Sequence, residues 1–472
     1  MKIKRFLIFF FLLGIFVLFG ENFQTHPWAC YHHDSQRTGR SDFIVGDSLE
    51  IAWTYNVGAE ISGSAVVDNL GRIIFGARDG YLYCLNSNGE LLWRTSLGAT
   101  VYFSTPALDD SGNIYITTSR KLIKLNSNGE ILWSWPSHNL LSISHSPVIG
   151  KDGKVYFACY SDSLYALDPA GNLVWAFYLE GDVNSSPTIG HDGRIYVATT
   201  RASQNKLWAF NPFGSLAWSY NLLGEADFAT PAVGYDSVIY LSVGYSNYLL
   251  YAIKPDGSLK WQTNLASSGY SCPAIANEST VYINASGRLY CIDSRNGNIR
   301  WFLSGFSSYS APAIDALGNI YLGSDRNFYV VSPNGQILCS RSISSSQSFF
   351  SSPAIGPGHR VYFGHMNGIF YAFQGYPQVF MKEERENKIL SSLKVLPNPC
   401  NFFTTIYYHL SLSDNVVLKI YNNSGYLLKT YNQYLPAGNH KLKILVNNLV
   451  NGVYFLVLET SKEKGVIKLI VK

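Results

Sequence analysis

Few side chains in this 472-residue chain have the type and spacing to do chemistry. His32 and His33 are adjacent. His359 and His365 flank one expected strand, whose opposite ends cannot share a metal, so both read as surface residues. The seven cysteines (Cys30, Cys84, Cys159, Cys272, Cys291, Cys339 and Cys400) include no C-x-x-C pair, so no thiolate zinc site is expected. They are also too scattered for a disulfide framework. Most alignable acids, such as Asp109, Asp152 and Asp168, fall in turns, where Asp serves turn formation. The Gly-rich turns match no phosphate loop. No catalytic, cofactor-binding or metal-ligating residue is therefore assigned, and no cofactor is expected.

One pattern does carry ligand chemistry. Three positions before a recurring proline (Ser64 replaces the first) stand Ile61, Phe103, Ser144, Asn184, Phe228, Tyr270, Tyr309 and Phe350, five of them aromatic. At one mouth of a closed ring, Phe103, Phe228, Tyr270, Tyr309 and Phe350 would form either a stacking platform for a sugar or extended peptide, or simple packing between loops.

The elements that place these residues are repeats. "LYCLNSNGELLW" (82–93), "LIKLNSNGEILW" (122–133), "LYALDPAGNLVW" (164–175) and "LWAFNPFGSLAW" (207–218) are each a strand, a Gly turn and a second strand ending on Trp. Three further copies follow. They alternate with phrases such as "SPTIGHDGRIYVAT", whose prolines (Pro106, Pro147, Pro187, Pro231, Pro273, Pro312, Pro353) are spaced by 39 to 44 residues. A unit of that length holding four short strands is a β-propeller blade. Eight first-strand phrases predict eight blades. The last unit stops after its third strand, and "IAWTYNV" around Trp53 precedes the first. The N-terminal strand is therefore expected to close blade eight, in one sheet with Val361 and Tyr371, removing the ring's open edges. Trp53, Trp93, Trp133, Trp175, Trp218, Trp261 and Trp301 read as structural fillers between blades. Cys339 stands where an eighth Trp is due, so that junction is expected to be the least well filled. The small residues before each proline (Thr105, Ser146, Ser186, Thr230, Cys272, Ala311, Ser352) suit crowding at an axis.

These alternating phrases, with the lead-in "WACYHHDSQRTGRS" (28–41), resemble the PQQ-like propeller family over about residues 28 to 374. The resemblance implies a propeller but not a function, because propellers host many. A quinoprotein dehydrogenase would need a calcium cage and a catalytic Asp. Many such enzymes also carry a disulfide between adjacent cysteines, and no Cys-Cys pair occurs here. In the same light His32 and His33 belong to a lead-in peg.

Residues 1–20, with Lys2, Lys4 and Arg5 before an apolar run, read as a signal peptide, with an uncleaved anchor as the alternative. No later segment is apolar enough to span a membrane. Cys30 lacks the small apolar lead-in of a lipoprotein. The net charge of +4 divides unevenly: residues 391–472 carry +6 and residues 21–374 carry −5. An acidic body is a poor nucleic-acid binder. After the charged linker 375–391, residues 392–472 offer seven short alternating strands, a small Ig-like β-sandwich. Pro397-Asn398-Pro399, "KIYNNSG", "LPAGNHKL", "NGVYFLVL" and the closing "KLIVK" resemble the type IX secretion sorting domain, and also the Ig-like domain of hook-capping proteins.

The sequence reading is thus an all-β chain: signal peptide 1–20, eight-bladed propeller 25–374, linker 375–391 and sorting-type sandwich 392–472. Expected partners are an unknown protein or glycan and the outer-membrane secretion machinery, with no nucleic acid. The expected destination is the cell surface or beyond, and the tail is expected to share few contacts with the propeller. A barrel-assembly propeller is the alternative function, and a dehydrogenase the least favoured.

Overall fold

The repeat phrases fold as antiparallel strands because β-branched and aromatic residues alternate with turns that glycine permits. A computed structural model describes residues 26–136, 145–159, 162–200, 205–244, 247–266, 271–285, 287–306, 309–324, 326–343, 349–377, 393–422, 427–446, 449–460 and 464–472. The signal peptide reading and most of the linker lie outside these residues, as does Tyr270.

Among the described residues, eight four-stranded antiparallel sheets form the propeller. Blade 1 runs through Val66–Val67, Ile73–Gly76, Tyr81–Leu85 and Leu91–Ser96, and blades 2 to 7 repeat the order. Blade 8 consists of Ala354–Gly356, Arg360–Gly364 and Ile369–Tyr376, with Ser48–Asn56 as its outer strand. Trp53 pairs with Ala372, and Phe373 pairs with Val361, so the ring closes as expected. Middle strands are buried on both faces, while the outer strand shows one face to solvent. The cores lie between blades: Tyr240 and Leu250 of blade 5 pack with Ile283 and Tyr290 of blade 6.

Each Trp joins two blades. In blades 2 to 6 its ring lies 5.7–5.9 Å from a buried tyrosine of its own blade, as in Tyr156–Trp175 and Tyr282–Trp301. Its other face meets the turn glycine of the next blade, where an added Cβ would sit 2.9 Å from Trp133 at Gly171. Indole Nε1–H then donates to a carbonyl in the same turn, Trp53 to Ser87 O at 2.9 Å and Trp218 to Pro255 O at 2.8 Å. Trp93 is the exception. Its Nε1 has no partner, and the equivalent carbonyl, Ser127 O, accepts from Arg72 instead.

Cys339 has a different explanation from loose filling. Blade 8 takes its outer strand from the N-terminus, so no third-to-fourth-strand turn exists to receive an indole. The seam is held instead by Arg341 Nε donating to Leu49 O at 2.7 Å, with Cys339 packed half-buried against the neighbouring core.

The tail is a sandwich of two sheets. Lys394–Leu396, Phe403–Leu410 and Gly438–Leu445 form one, and Leu427–Leu435, Asp414–Asn422, Gly452–Glu459 and Lys464–Val471 form the other. Tail and propeller share few contacts, as expected, and these lie on the outer face of the four-stranded sheet. Tyr421 and Val457 are buried with Ile44 and Ala316, and Leu427 N–H donates to Asp42 O at 3.3 Å.

Candidate functional site in the propeller channel

The lead-in is wound into one mouth of the ring. His32, His33 and Arg37 adopt φ of 56°, 84° and 59°, a tight coil that non-glycine residues keep only when their surroundings hold it. Those surroundings are the blades' inner strands. The N–H groups of Leu108, Ile189, Val233 and Ile275 donate at 2.8 Å to Ala29, Ser35, Gln36 and Thr38 carbonyls in turn, and Ile314 N–H donates to Gly39 O at 2.7 Å. Trp28 exchanges two such bonds with Val67. Arg37 is fully buried, and its guanidinium donates to Tyr31 O, Pro147 O and Pro187 O at 2.7, 3.1 and 3.1 Å. His32 sets Nδ1 2.7 Å from Arg37 O and Nε2 2.8 Å from Pro312 O. The peg therefore ties opposite blades across the axis, in keeping with the structural reading of the His32–His33 pair.

Further along the axis the residues before each proline form a belt. In the first repeat Ala65 holds the proline position, where the sequence reading places Ser64, so Ser64 belongs to the belt. Ser64 N–H donates to Thr105 Oγ1 at 3.0 Å, Thr105 N–H to Ser146 Oγ at 2.9 Å, and Ser146 N–H to Ser186 Oγ at 3.0 Å. Ser186 N–H reaches Thr230 Oγ1 at 3.3 Å, Ala311 N–H reaches Ser352 Oγ at 2.9 Å, and Ser352 N–H returns to Ser64 Oγ at 2.8 Å across the closure. Sequence reasoning saw only small residues at a crowded axis. The missed signal was that six of these eight positions carry a hydroxyl, which accepts an N–H where alanine cannot.

At the far mouth sit the aromatic candidates. Phe103 of blade 2 meets Phe228 of blade 5 at 5.2 Å between centroids and Phe350 at 5.5 Å, while Tyr309 stacks on Phe350 at 4.5 Å. Each ring is half-buried, with one side against its neighbours. The structure thus brings four of the five together across the axis, and Tyr270 lies outside the described residues. The register corrects one position: Val66 pairs with Ile74 as Ala354 pairs with Tyr362, so Ser62 and not Ile61 is the equivalent of Phe350, and Ile61 is fully buried in the core. Asn184 bonds Asp227 Oδ1 at 2.9 Å.

Between peg and rings lies a cavity with about 50 Å³ of room for water centres, space for roughly three or four waters. Tyr31 lies on the peg side, the hydroxyl residues Ser62, Ser64, Ser146, Ser186 and Thr230 along the wall, and the four rings at the mouth. His145 also lines it. Its Nε2 is buried with no hydrogen-bond partner, and burial pushes the imidazole down to about 4, so the ring is neutral near pH 7. A tricyclic quinone is too large for this cavity, and the lining among the described residues holds no carboxylate to cage a calcium.

The remaining histidines correct the surface reading. His365 is buried, its ring 4.6 Å from Phe349, and His359 is half-buried with Nδ1 2.7 Å from Ile44 O. The turn acids behave as expected: Asp109 Oδ1 accepts from Ser111 and Asn113 N–H. Cys30 is buried within the peg.

With this geometry in view, the sequence model described as "Outer membrane protein assembly factor BamB", a PQQ-repeat model, matches residues 47–142 and 126–349. The chain belongs to this family. Its members share the propeller seen here, and residues 394–472 match the model described as a secretion system C-terminal sorting domain. That tail marks proteins exported by the type IX route to the cell surface or outside. Similar solved structures include BamB from Moraxella catarrhalis, with a TM-score of 0.58 at 17% identity, covering 69% of this chain and 99% of that one. Sqt1 of Saccharomyces cerevisiae has a TM-score of 0.56 at 12% identity, covering 70% and 98%. The C-terminal WD40 domain of Sif2 has a TM-score of 0.58 at 11% identity, covering 71% and 99%. At these identities the likeness is one of fold. No curated protein matches the chain.

Proposed function

We propose that this family member is a non-catalytic binding or scaffold propeller that works outside the cell and engages a protein or glycan partner. The observation that carries the reading is the filled axis. The peg's Arg37 and His32 occupy one mouth and the Phe103–Phe228–Phe350 cluster the other, in the region where a propeller enzyme would hold its cofactor. The rings at the second mouth are partly exposed, and that exposed aromatic surface is what a sugar or peptide would stack on. The test is twofold. Purified protein given quinone and calcium should oxidise no alcohol or sugar in a dye-linked assay, and turnover would overturn the proposal. Cross-linking at the surface of intact cells should recover a partner, and Phe103→Ala should reduce that recovery if the aromatic mouth is the contact.

The family match favours one other reading, an assembly role of the kind the matched description names. Such a role calls for an inner-leaflet lipid anchor, so incorporation of a labelled lipid precursor into the chain would favour it over ours.

A further inference from the structure

The two outer faces of the tail sandwich have different environments. The four-stranded sheet turns Tyr421 and Val457 onto the propeller. The three-stranded sheet lies on the opposite side of the sandwich, and its outer face is turned to solvent.

That free face has an unusual make-up. Its strands, 394–396, 403–410 and 438–445, contain no Asp or Glu. Tyr407 pairs across the sheet with Lys394 on one side and Lys441 on the other, and Lys443 pairs with Thr405 one step along. Lys419, on the other sheet, is neutralised by Glu459 at 2.8 Å, but no carboxylate meets these three lysines among the described residues. Large apolar side chains are exposed at one end of the same face: Leu396 at 57%, Leu445 at 65%, and Phe402 at 71% in the adjoining loop. Lys443 Nζ stands 3.8 Å from the Phe403 ring centroid.

A solvated face needs lysines but does not need exposed leucine and phenylalanine beside them. An aromatic and aliphatic centre bordered by one sign of charge is the anatomy of a protein interface. We infer that the outer face of the three-stranded sheet is the surface by which the tail is read, and that it docks on an acidic, partly apolar protein surface of the export machinery. This rests on the tail being the export signal. The positive charge of Lys394, Lys441 and Lys443, with no carboxylate on the same strands, argues for a negatively charged partner surface. The rigid sheet, whose backbone is held by ladder bonds from Phe403 to Leu410, argues for a shaped protein site over a fluid one.

The test uses the full-length chain in cells and in purified form. Lys394→Glu/Lys441→Glu/Lys443→Glu should lower the extracellular fraction by roughly tenfold while its thermal unfolding stays unchanged, because these side chains are exposed. The matching Lys→Arg triple should be exported normally. Unchanged export of the Glu triple, in a strain where a tail-deleted chain stays behind, would overturn this face but leave the sorting reading standing. Export of the tail-deleted chain would sink the sorting reading itself. If the triple fails to fold, Leu445→Ser, at a 65% exposed position, asks the same question and should also reduce export. Salt-sensitive binding of the purified full chain to phosphatidylglycerol vesicles, lost in the Glu triple, would overturn the proposal in favour of a lipid surface.

Discussion

Trp133 lays its indole on Gly171 of the next blade and donates Nε1–H to Pro169 O of the same turn at 3.1 Å. Contact and hydrogen bond together fix the angle between two blades. The glycine is therefore required twice, once for its φ of +90° and once for the closeness of the ring.

Gly171→Ala should cost about 2–4 kcal/mol in urea unfolding, combining left-handed strain with displacement of the indole. Gly58→Ala is the control, with φ of +77° and nothing within 4 Å of an added Cβ; strain alone should cost it about 1 kcal/mol. Equal losses would show that the ring contact is unimportant.

Cys339→Trp restores the repeat's consensus but has no turn on blade 8 to dock against. Its unfolding midpoint should stay the same or fall, whereas Trp133→Ala should cost about 2 kcal/mol or more. A rise in the midpoint of the Cys339→Trp variant would contradict the account of the seam.

Thr105→Val keeps shape but leaves Ser64 N–H without its acceptor inside a buried belt. The expected loss is about 1–3 kcal/mol, with Thr105→Ser recovering most of it. Equal stability of all three forms would mean that the belt is incidental.

His145 should make stability depend on pH. Its pKa in the folded protein is about 4, against about 6.5 unfolded, so as pH falls the unfolded chain takes up the proton first. The stabilisation is complete above about pH 6.5 and should drop by about 2 kcal/mol between pH 7 and 5. Denaturation at both pH values should show a smaller drop, by about that amount, in His145→Gln. An identical drop in both proteins would place the titrating group elsewhere.

Most of the propeller was legible because its determinants are local and repeated. A Trp at a fixed distance after a Gly turn marks each outer hairpin, and the unpaired fragments at Trp53 and Phe373 imply their own pairing. What stayed hidden depends on contacts between distant segments. Ser64 and Ser352 look like any small residues until the closed ring sets one's hydroxyl against the other's N–H. His365 looked exposed because burial by Phe349 comes from a different part of blade 8. The docking of Tyr421 on Ile44 joins residues from two domains, and no periodicity within either one signals it. The aromatic positions were found from their register, but their convergence across the axis required the ring's geometry.

The seam between Ser48 and Tyr376 spans 328 residues, and this sets an order of events during synthesis. The strand that begins the ring is made first, and the strand that receives it is the last of the propeller to appear. No partial chain can close its circle, so long-range pairing comes late and slows assembly. The tail follows that last strand after the linker, its first strand beginning at Lys394. By the time an export receptor meets a finished tail, every segment needed for a complete ring has already been made. A chain truncated before Ile369 would lack both its closure and its address, so an unclosed ring and a lost destination go together.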